Sequence, residues 1–374
     1  MSFENGSISC RFFQVPHKLP KDIVERFAQR AAPPIKSMGE APVQGWVGGR
    51  HLLDVPITEE NAFYGGYLRL VLVKAERKVP TSLVRAECML EEFAHMRAER
   101  KPFVDRKTRS DIRKQVLARL LPTMPPTLKG IPFVYDERAG VLSAGATSEN
   151  QTDAFRLNFR NAAGCDPIPL TAVTAAVALG TSVSNWGKTS FSPEVPDSAM
   201  DETPGLDFLT WLWFASEARG GLFNTKQGRI AVALEGPLLF TRTGEGAHEM
   251  ALRHGLPTIS AEAKTALLSG KKLERAKLLL GFGSEENWSC AFDTDAFVFR
   301  SLKLPESKEI LDAASTFQDR IQKLGQFREL LLELFAQFAA ERGDPRRWAA
   351  TQKNPPLGHR PHVEAVDGRP ANPP

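Results

Sequence analysis

Arg97-Ala98-Glu99-Arg100-Lys101-Pro102-Phe103-Val104-Asp105-Arg106-Lys107-Thr108-Arg109-Ser110-Asp111-Ile112-Arg113-Lys114-Gln115-Val116-Leu117-Ala118-Arg119 decides how the chain is divided. It carries nine basic residues (Arg97, Arg100, Lys101, Arg106, Lys107, Arg109, Arg113, Lys114, Arg119) against three acids (Glu99, Asp105, Asp111). That is +6 in one segment, more than the formal +4 of all 374 residues, so positive charge is concentrated rather than spread. A polyanion meets such a field first.

Helical signals flank this stretch. Pro80-Thr81-Ser82 starts a helix, and Leu83, Ala86, Leu90 and Phe93 recur at helical spacing to about Lys101. From Thr108 to Leu121, Ile112, Val116, Leu117, Leu120 and Leu121 form one stripe, while Arg109 and Arg113 project from another face. Pro122, Pro125 and Pro126 end that helix, since proline cannot continue the ladder. The expectation is an antiparallel two-helix finger bearing the basic cluster.

Extended segments lie on either side. Ser7 to Val15 reads as a strand, Lys21 to Ala31 as a helix and Tyr67 to Ala75 as an alternating strand. Beyond the finger, Ile131 to Asp136 and Val141 to Ala146 form a hairpin around Arg138-Ala139-Gly140, followed by a helix from Glu149 to Ala163 and an extended piece from Pro167 to Leu170. The predicted fold class is α+β. An N-terminal α/β domain (1–75 and 131–171) is interrupted by the finger (76–130), and a second α+β base domain covers 172–305. Within the base, 180–205 reads as a Gly/Ser/Pro-rich linker or loop and Pro204 to Phe214 as a core helix. Strand-like pieces follow at Arg229–Leu234, Leu238–Arg242 and Ala247–Arg253, then a helix from Ala261 to about Leu268. Further strand-like pieces are Arg275–Phe282, Trp288–Phe292 and Ala296–Leu302. A long helix spans 306–342, with Ile310, Ala314, Phe317, Ile321, Leu324, Leu331, Phe335 and Phe338 at three-four spacing and Arg328 breaking the series. The proline-rich tail from Gly343 reads as disordered.

Composition excludes several classes. No stretch approaches the roughly 20 apolar residues of a membrane span, and Met1 to Gly6 lacks a basic leader and an apolar signal core. The expected location is the cytoplasm, in association with the nucleoid and away from membranes. Cys10, Cys88, Cys165 and Cys290 make no C-x-x-C pair, which fits buried thiols. Gly180 to Thr189 ends in Gly-Lys-Thr, but six residues separate its glycines where a phosphate loop has four. The seven histidines form no H-E-x-x-H motif, and no nucleophile elbow occurs. No cofactor is implied. For metal-dependent DNA cleavage the candidates are Asp197 and Glu262, with Lys264 to stabilise developing charge; ordinary surface charge is the competing reading.

The predicted DNA-binding set is therefore the nine finger cations with Lys129, Lys264, Lys271, Lys272 and Arg275, and Lys277 close by. Charged helices are usually plain solvated faces, but the three-to-one imbalance and the shared helical faces favour nucleic acid here. Ser269-Gly270-Lys271-Lys272 is a helix-to-strand turn from which lysines could reach phosphates.

Gly45-Trp46-Val47, the strand end Val73-Lys74-Ala75-Glu76-Arg77-Lys78-Val79-Pro80, Val116-Leu117-Ala118-Arg119-Leu120-Leu121-Pro122 and the hairpin Phe133-Val134-Tyr135-Asp136 through Gly140 resemble the RdgC family, recombination-associated DNA-binding proteins also labelled exonucleases. The likeness covers about residues 6 to 170 and returns at Ile259 to Leu304. It departs at Asp207 to Trp213, in the extended C-terminus, and at Thr123 and Pro125, where the family carries a basic residue and an aromatic at what is expected to be the finger tip. The resemblance implies a homodimer closed into a ring, duplex DNA in a basic hole, weak sequence preference and modulation of the RecA recombinase. An exonuclease, or a protein-interaction module using the long helix, are the alternatives.

Overall fold

A computed structural model describes residues 3–35, 38–243, 248–283, 286–307 and 312–353. The first part of the chain runs β1 (Ile8–Gln14), α1 (Ile23–Ala28), β2 (Val43–Gly48), α2 (Glu59–Ala62), β3 (Phe63–Tyr64) and β4 (Tyr67–Arg77), then the finger helices α3 (Thr81–Glu99) and α4 (Arg106–Leu120). It returns through β5 (Pro126–Asp136), β6 (Val141–Ala144), α5 (Glu149–Ala163), β7 (Ile168–Pro169) and α6 (Ala172–Ala178). The second part comprises α7 (Pro204–Ala218), β8 (Leu222–Thr225), β9 (Gly228–Thr241), β10 (Glu249–Leu252), α8 (Ala261–Leu268), β11 (Lys272–Phe282), β12 (Glu286–Asp293), β13 (Val298–Lys303), α9 (Ala313–Arg342) and α10 (Pro345–Lys353). Helices and antiparallel sheet together make this an α+β protein.

All named strands join one sheet in the order β10-β9-β11-β12-β13-β1-β6-β5-β4-β2, and off this path β3 pairs with β4, β7 with β1 and β8 with β9. The hinge of this arrangement is β1. Ile8 and Cys10 face Leu302 and Phe299 of β13, whereas Arg11 to Gln14 pair with β6 in the register Arg11↔Ala144 to Gln14↔Val141. One strand thus belongs to both halves.

The two faces bury separate cores. Phe27, Trp46, Phe133, Phe155 and Phe159 pack edge-to-face or tilted under α1 and α5, an arrangement that suits the aromatic quadrupole. The larger core gathers α6, α7, α9 and α10 against β8 to β13 and the other face of β1. The stripe on α9 is consumed there: Phe317, Ile321, Leu324, Phe327, Leu331, Phe335 and Phe338 are buried. Phe317 meets Tyr64 at one end of α9 and Phe338 meets Trp211 at the other, so the helix ties both halves of the sheet together. A stripe buried in its own chain cannot also present the partner surface considered above.

Several expectations need correction. Of the two readings of 180–205 it is the long loop that holds and the linker that does not: Trp186, Thr189, Ser190 and Phe191 are buried beneath α9 and α10. Part of the tail is helical. Trp348 of α10 is buried, donates to Thr189 Oγ1 at 2.9 Å and stacks edge-on to Phe191 and Phe338. One indole burying its ring stabilises a segment that composition alone would leave unfolded. The pieces at 229–234 and 238–242 are one strand, β9. The long helix begins at Ala313, capped by Asp312, rather than at 306, where Glu306 and Ser307 are not helical; Ile310 and the tail beyond Lys353 lie outside the described residues.

Candidate nucleic-acid interface

The finger grows out of the end of the β4–β5 ladder. Pairing persists to Arg77↔Pro126, and the Arg77 guanidinium donates to the carbonyls of Pro122 (3.3 Å) and Met124. Proline at position 80 precedes α3, and Asp105 caps α4 by accepting from the amides of Lys107 (2.9 Å) and Thr108 (3.0 Å). These amides and the Thr108 hydroxyl hold the Asp105 carboxyl down to about 2. Val84, Cys88, Val104, Ile112 and Val116 form the finger's small private core. With 19 residues in α3, the turn at 100–105 stands about 28 Å from the root at a rise of 1.5 Å per residue. Thr123 and Pro125 therefore lie at the root, not at the tip as expected, because both strand ends are anchored there.

Folding divides the basic cluster into two classes. Acids on α3 that lie outside the 97–119 window face α4. Arg109 meets Glu92 at 3.2 Å, and Arg119 forks onto Glu87 (2.7 Å) and Glu91 (2.9 Å). Lys101 is paired with Glu99 and Lys114 with Asp111. Over residues 81–120 ten basic side chains stand against six acidic ones, +4 rather than +6. Among the described residues, Arg97, Arg100, Arg106, Lys107 and Arg113 have no acidic partner. Four of these five flank the distal turn. Arg100 closes α3 at φ 51°, a left-handed cap that glycine usually fills, and this carries its side chain past the helix end.

At the root, exposed Lys129 of β5 is in direct register with Lys74 of β4. Lys74 and Lys78 share Glu76, at 3.1 and 2.6 Å, and their hydrogen bonds, that of Lys78 first, hold its carboxyl down to about 2. Lys74 and Lys78 were missed in the sequence. The register of β4 on β5 is the signal that places them beside Lys129.

The second cluster is reduced. Lys272 is buried, 2 % exposed, with its ammonium 2.5 Å from Asp207 and 2.9 Å from Thr203, so it is withdrawn from the predicted DNA-binding set. Burial pushes the Asp207 carboxyl up, and the Lys272 charge opposes that. Arg275 is tied to Asp293 (2.6 Å) and Lys277 to Glu235 (2.7 Å). Lys271 donates to Ser269 Oγ, while Lys264 has no acidic partner among the described residues. Five inter-strand steps separate β11 from β5, about 24 Å at ~4.8 Å per step. The two clusters are not in contact; they sit toward opposite ends of one sheet.

The cleavage candidates are placed apart from any ligand set. Asp197 accepts from the Ser190 amide (2.6 Å) and from Gln352, and Glu262 is exposed in the first turn of α8. Among the described residues no group of three His, Cys, Asp or Glu is positioned to hold a metal ion. No helix among them is long and apolar enough to cross a membrane. Cys10, Cys88 and Cys290 are buried and Cys165 is half-buried, all as free thiols, and burial pushes Cys10 up to about 12.

The family described as "Putative exonuclease, RdgC" matches residues 9–197, half of the chain. The chain belongs to the RdgC family. The matched span runs from β1 through the finger to the segment packed under α10, so the finger is part of what defines RdgC here. Membership makes this a recombination-related, nucleic-acid-associated protein. No curated protein matches the chain.

Proposed function

We propose that this chain is a sequence-tolerant double-stranded-DNA-binding protein of recombination, which grips the phosphate backbone as a homodimer closed around the duplex and modulates the RecA recombinase. The observation that carries the reading is the set of five cations without acidic partners on an arm projecting from the sheet. Phosphate contacts fix position and carry no base information, so the reading implies little sequence preference. Ring closure and RecA rest on the family resemblance. In the RdgC setting, Lys74, Lys78 and Lys129 at the root extend the same positive surface toward the sheet.

Binding to two unrelated duplexes across a salt series tests this. Five phosphate contacts per chain, ten in the homodimer, give a slope of log K against log salt of about −9, at roughly −0.9 per contact. A flat salt response, or strong preference for one duplex, would count against the reading. Retention on circular but not linear DNA, with a dimer mass in solution, tests encirclement.

A further inference from the structure

A cavity lies under α9 at the end of the β4–β5 ladder remote from the finger. It encloses about 180 Å³ between α9 and the sheet face that carries the larger core. Strand register builds its floor. Phe12 and Val134 stand opposite Ser143 in one cross-strand row, and Asp136 stands opposite Val141 in the next, with Tyr67 of β4 beside them. The roof is one face of α9, where Ile321, Leu324, Gly325 and Arg328 follow at three-four spacing.

Packing does not account for two residues of this roof. Arg328 interrupts the apolar series of α9, and its half-buried guanidinium has neither a hydrogen bond nor an ion pair among the described residues. Burial pushes that guanidinium down, and the charges of Glu329 and Asp136 oppose the shift. Gly325 sits inside a 30-residue helix, where glycine destabilises relative to alanine, yet a Cβ there would meet nothing within 4 Å. No close approach demands it; the missing side chain leaves the cavity open.

The polar groups around this space carry both signs. Asp136 accepts from the amides of Arg138 (2.9 Å) and Ala139 (3.2 Å), both at Oδ1, and meets no cation at ion-pair distance among the described residues. Burial and the Asp136 charge hold Tyr67 as the neutral phenol, and its hydroxyl has no hydrogen bond among the described residues. A guanidinium receives a carboxylate on two parallel N–H groups. With Asp136 and Glu329 beside a single arginine, a multiply charged anion is disfavoured, whereas a zwitterion matches both signs. The remaining walls are apolar, and the volume is below the roughly 300–1,000 Å³ of pockets for drug-sized ligands, which leaves room for a small aliphatic body.

We propose that this cavity binds a free aliphatic amino acid, its carboxylate on Arg328, its ammonium on Asp136 beside the Tyr67 hydroxyl, and its side chain against Phe12, Val134 and Leu324. A ligand held between α9 and the sheet binds only the folded chain and therefore stabilises it.

The test is thermal unfolding and calorimetric titration of the full chain with three probes: L-leucine, leucinamide, which lacks the carboxylate, and isocaproate, which lacks the ammonium. Leucine should raise the unfolding temperature saturably and bind at least about 10-fold tighter than either analogue, because each analogue leaves one charged group of the cavity without its partner. Arg328→Met should lower leucine affinity at least about 10-fold while the protein stays folded and keeps its salt slope on duplex DNA. Gly325→Met fills the space and leaves the charges in place, so it should unfold at a higher temperature than the wild type and no longer bind leucine. The inference is overturned by the absence of a saturable shift with leucine, by equal affinity for the three probes, or by leucine binding that survives either substitution. A Gly325→Met protein that does not fold also overturns it, since the space beside Gly325 would then not be open. None of these outcomes touches duplex binding, which rests on the finger.

Discussion

Alanine at Arg97, Arg100, Arg106, Lys107 and Arg113 together should remove most of the salt dependence of DNA binding, and the structure supplies the control. Each contact contributes about 0.9 to the slope, and a rise from roughly 50 to 200 mM changes log salt by about 0.6. Each therefore accounts for about half a decade of affinity over that range, and the ten in a homodimer for about 5.4 decades. The control combines Arg109→Ala with Glu92→Ala and Arg119→Ala with Glu87→Ala, which leaves only Glu91 without its arginine and takes away two finger arginines without changing net charge. Exposed pairs of this kind are worth about 0–1 kcal/mol each, so both proteins should stay folded, as thermal unfolding can verify. Fluorescence anisotropy on one duplex gives the slopes. The pair-deleted protein should keep the wild-type slope within about one unit. If it flattens as much per arginine as the five-residue variant, or if that variant keeps the full slope, the division between engaged and available cations is wrong.

Other consequences concern the scaffold. Lys272→Met should lower the unfolding free energy by about 3–5 kcal/mol in a denaturant titration, because Asp207 is left buried without its partner, and the double change with Asp207→Leu should recover most of that loss. Asp105 has its carboxyl lowered in the folded state, so its capping contribution is complete above the ordinary carboxylate value near 4 and is lost as pH falls toward about 2; hydrogen exchange in α4 should show that acid limb, and Asp105→Ala should abolish it. Trp348→Ala should cost about 3–5 kcal/mol and increase proteolysis between residues 186 and 200, since the indole covers that segment.

Elements with strong local signals were readable from residues alone. Glu149 to Ala163 emerges with the expected limits, because Ser148 and Gln151 form a reciprocal cap and Gly164 supplies the left-handed stop. Ala261 to Leu268, capped by Ser260, behaves likewise. What escaped depends on partners distant in the chain. A window over 97–119 counts charges but cannot see Glu87, Glu91 and Glu92 folding onto them. Lys272 looked like the neighbour of a surface lysine, yet at the irregular start of β11 it is buried together with Leu273. The available clue was Asp207, an acid in the first turn of the apolar helix α7 and flanked by buried residues, which had to be buried with a cation. Likewise α10 is held by Trp348, seated against Phe191 and Phe338, and by Gln352, which donates to Thr189, the Ser190 carbonyl and Asp197, all partners distant in the chain.

The most direct measurement is amine footprinting of the full chain with and without a duplex, read by mass spectrometry. Lys107 and Lys129 should be reactive in the free protein and protected on DNA, Lys272 should be unreactive in both, and Lys277 should change little because Glu235 already engages it. Protection confined to lysines away from the finger, with Lys107 still fully reactive on DNA, would contradict the account.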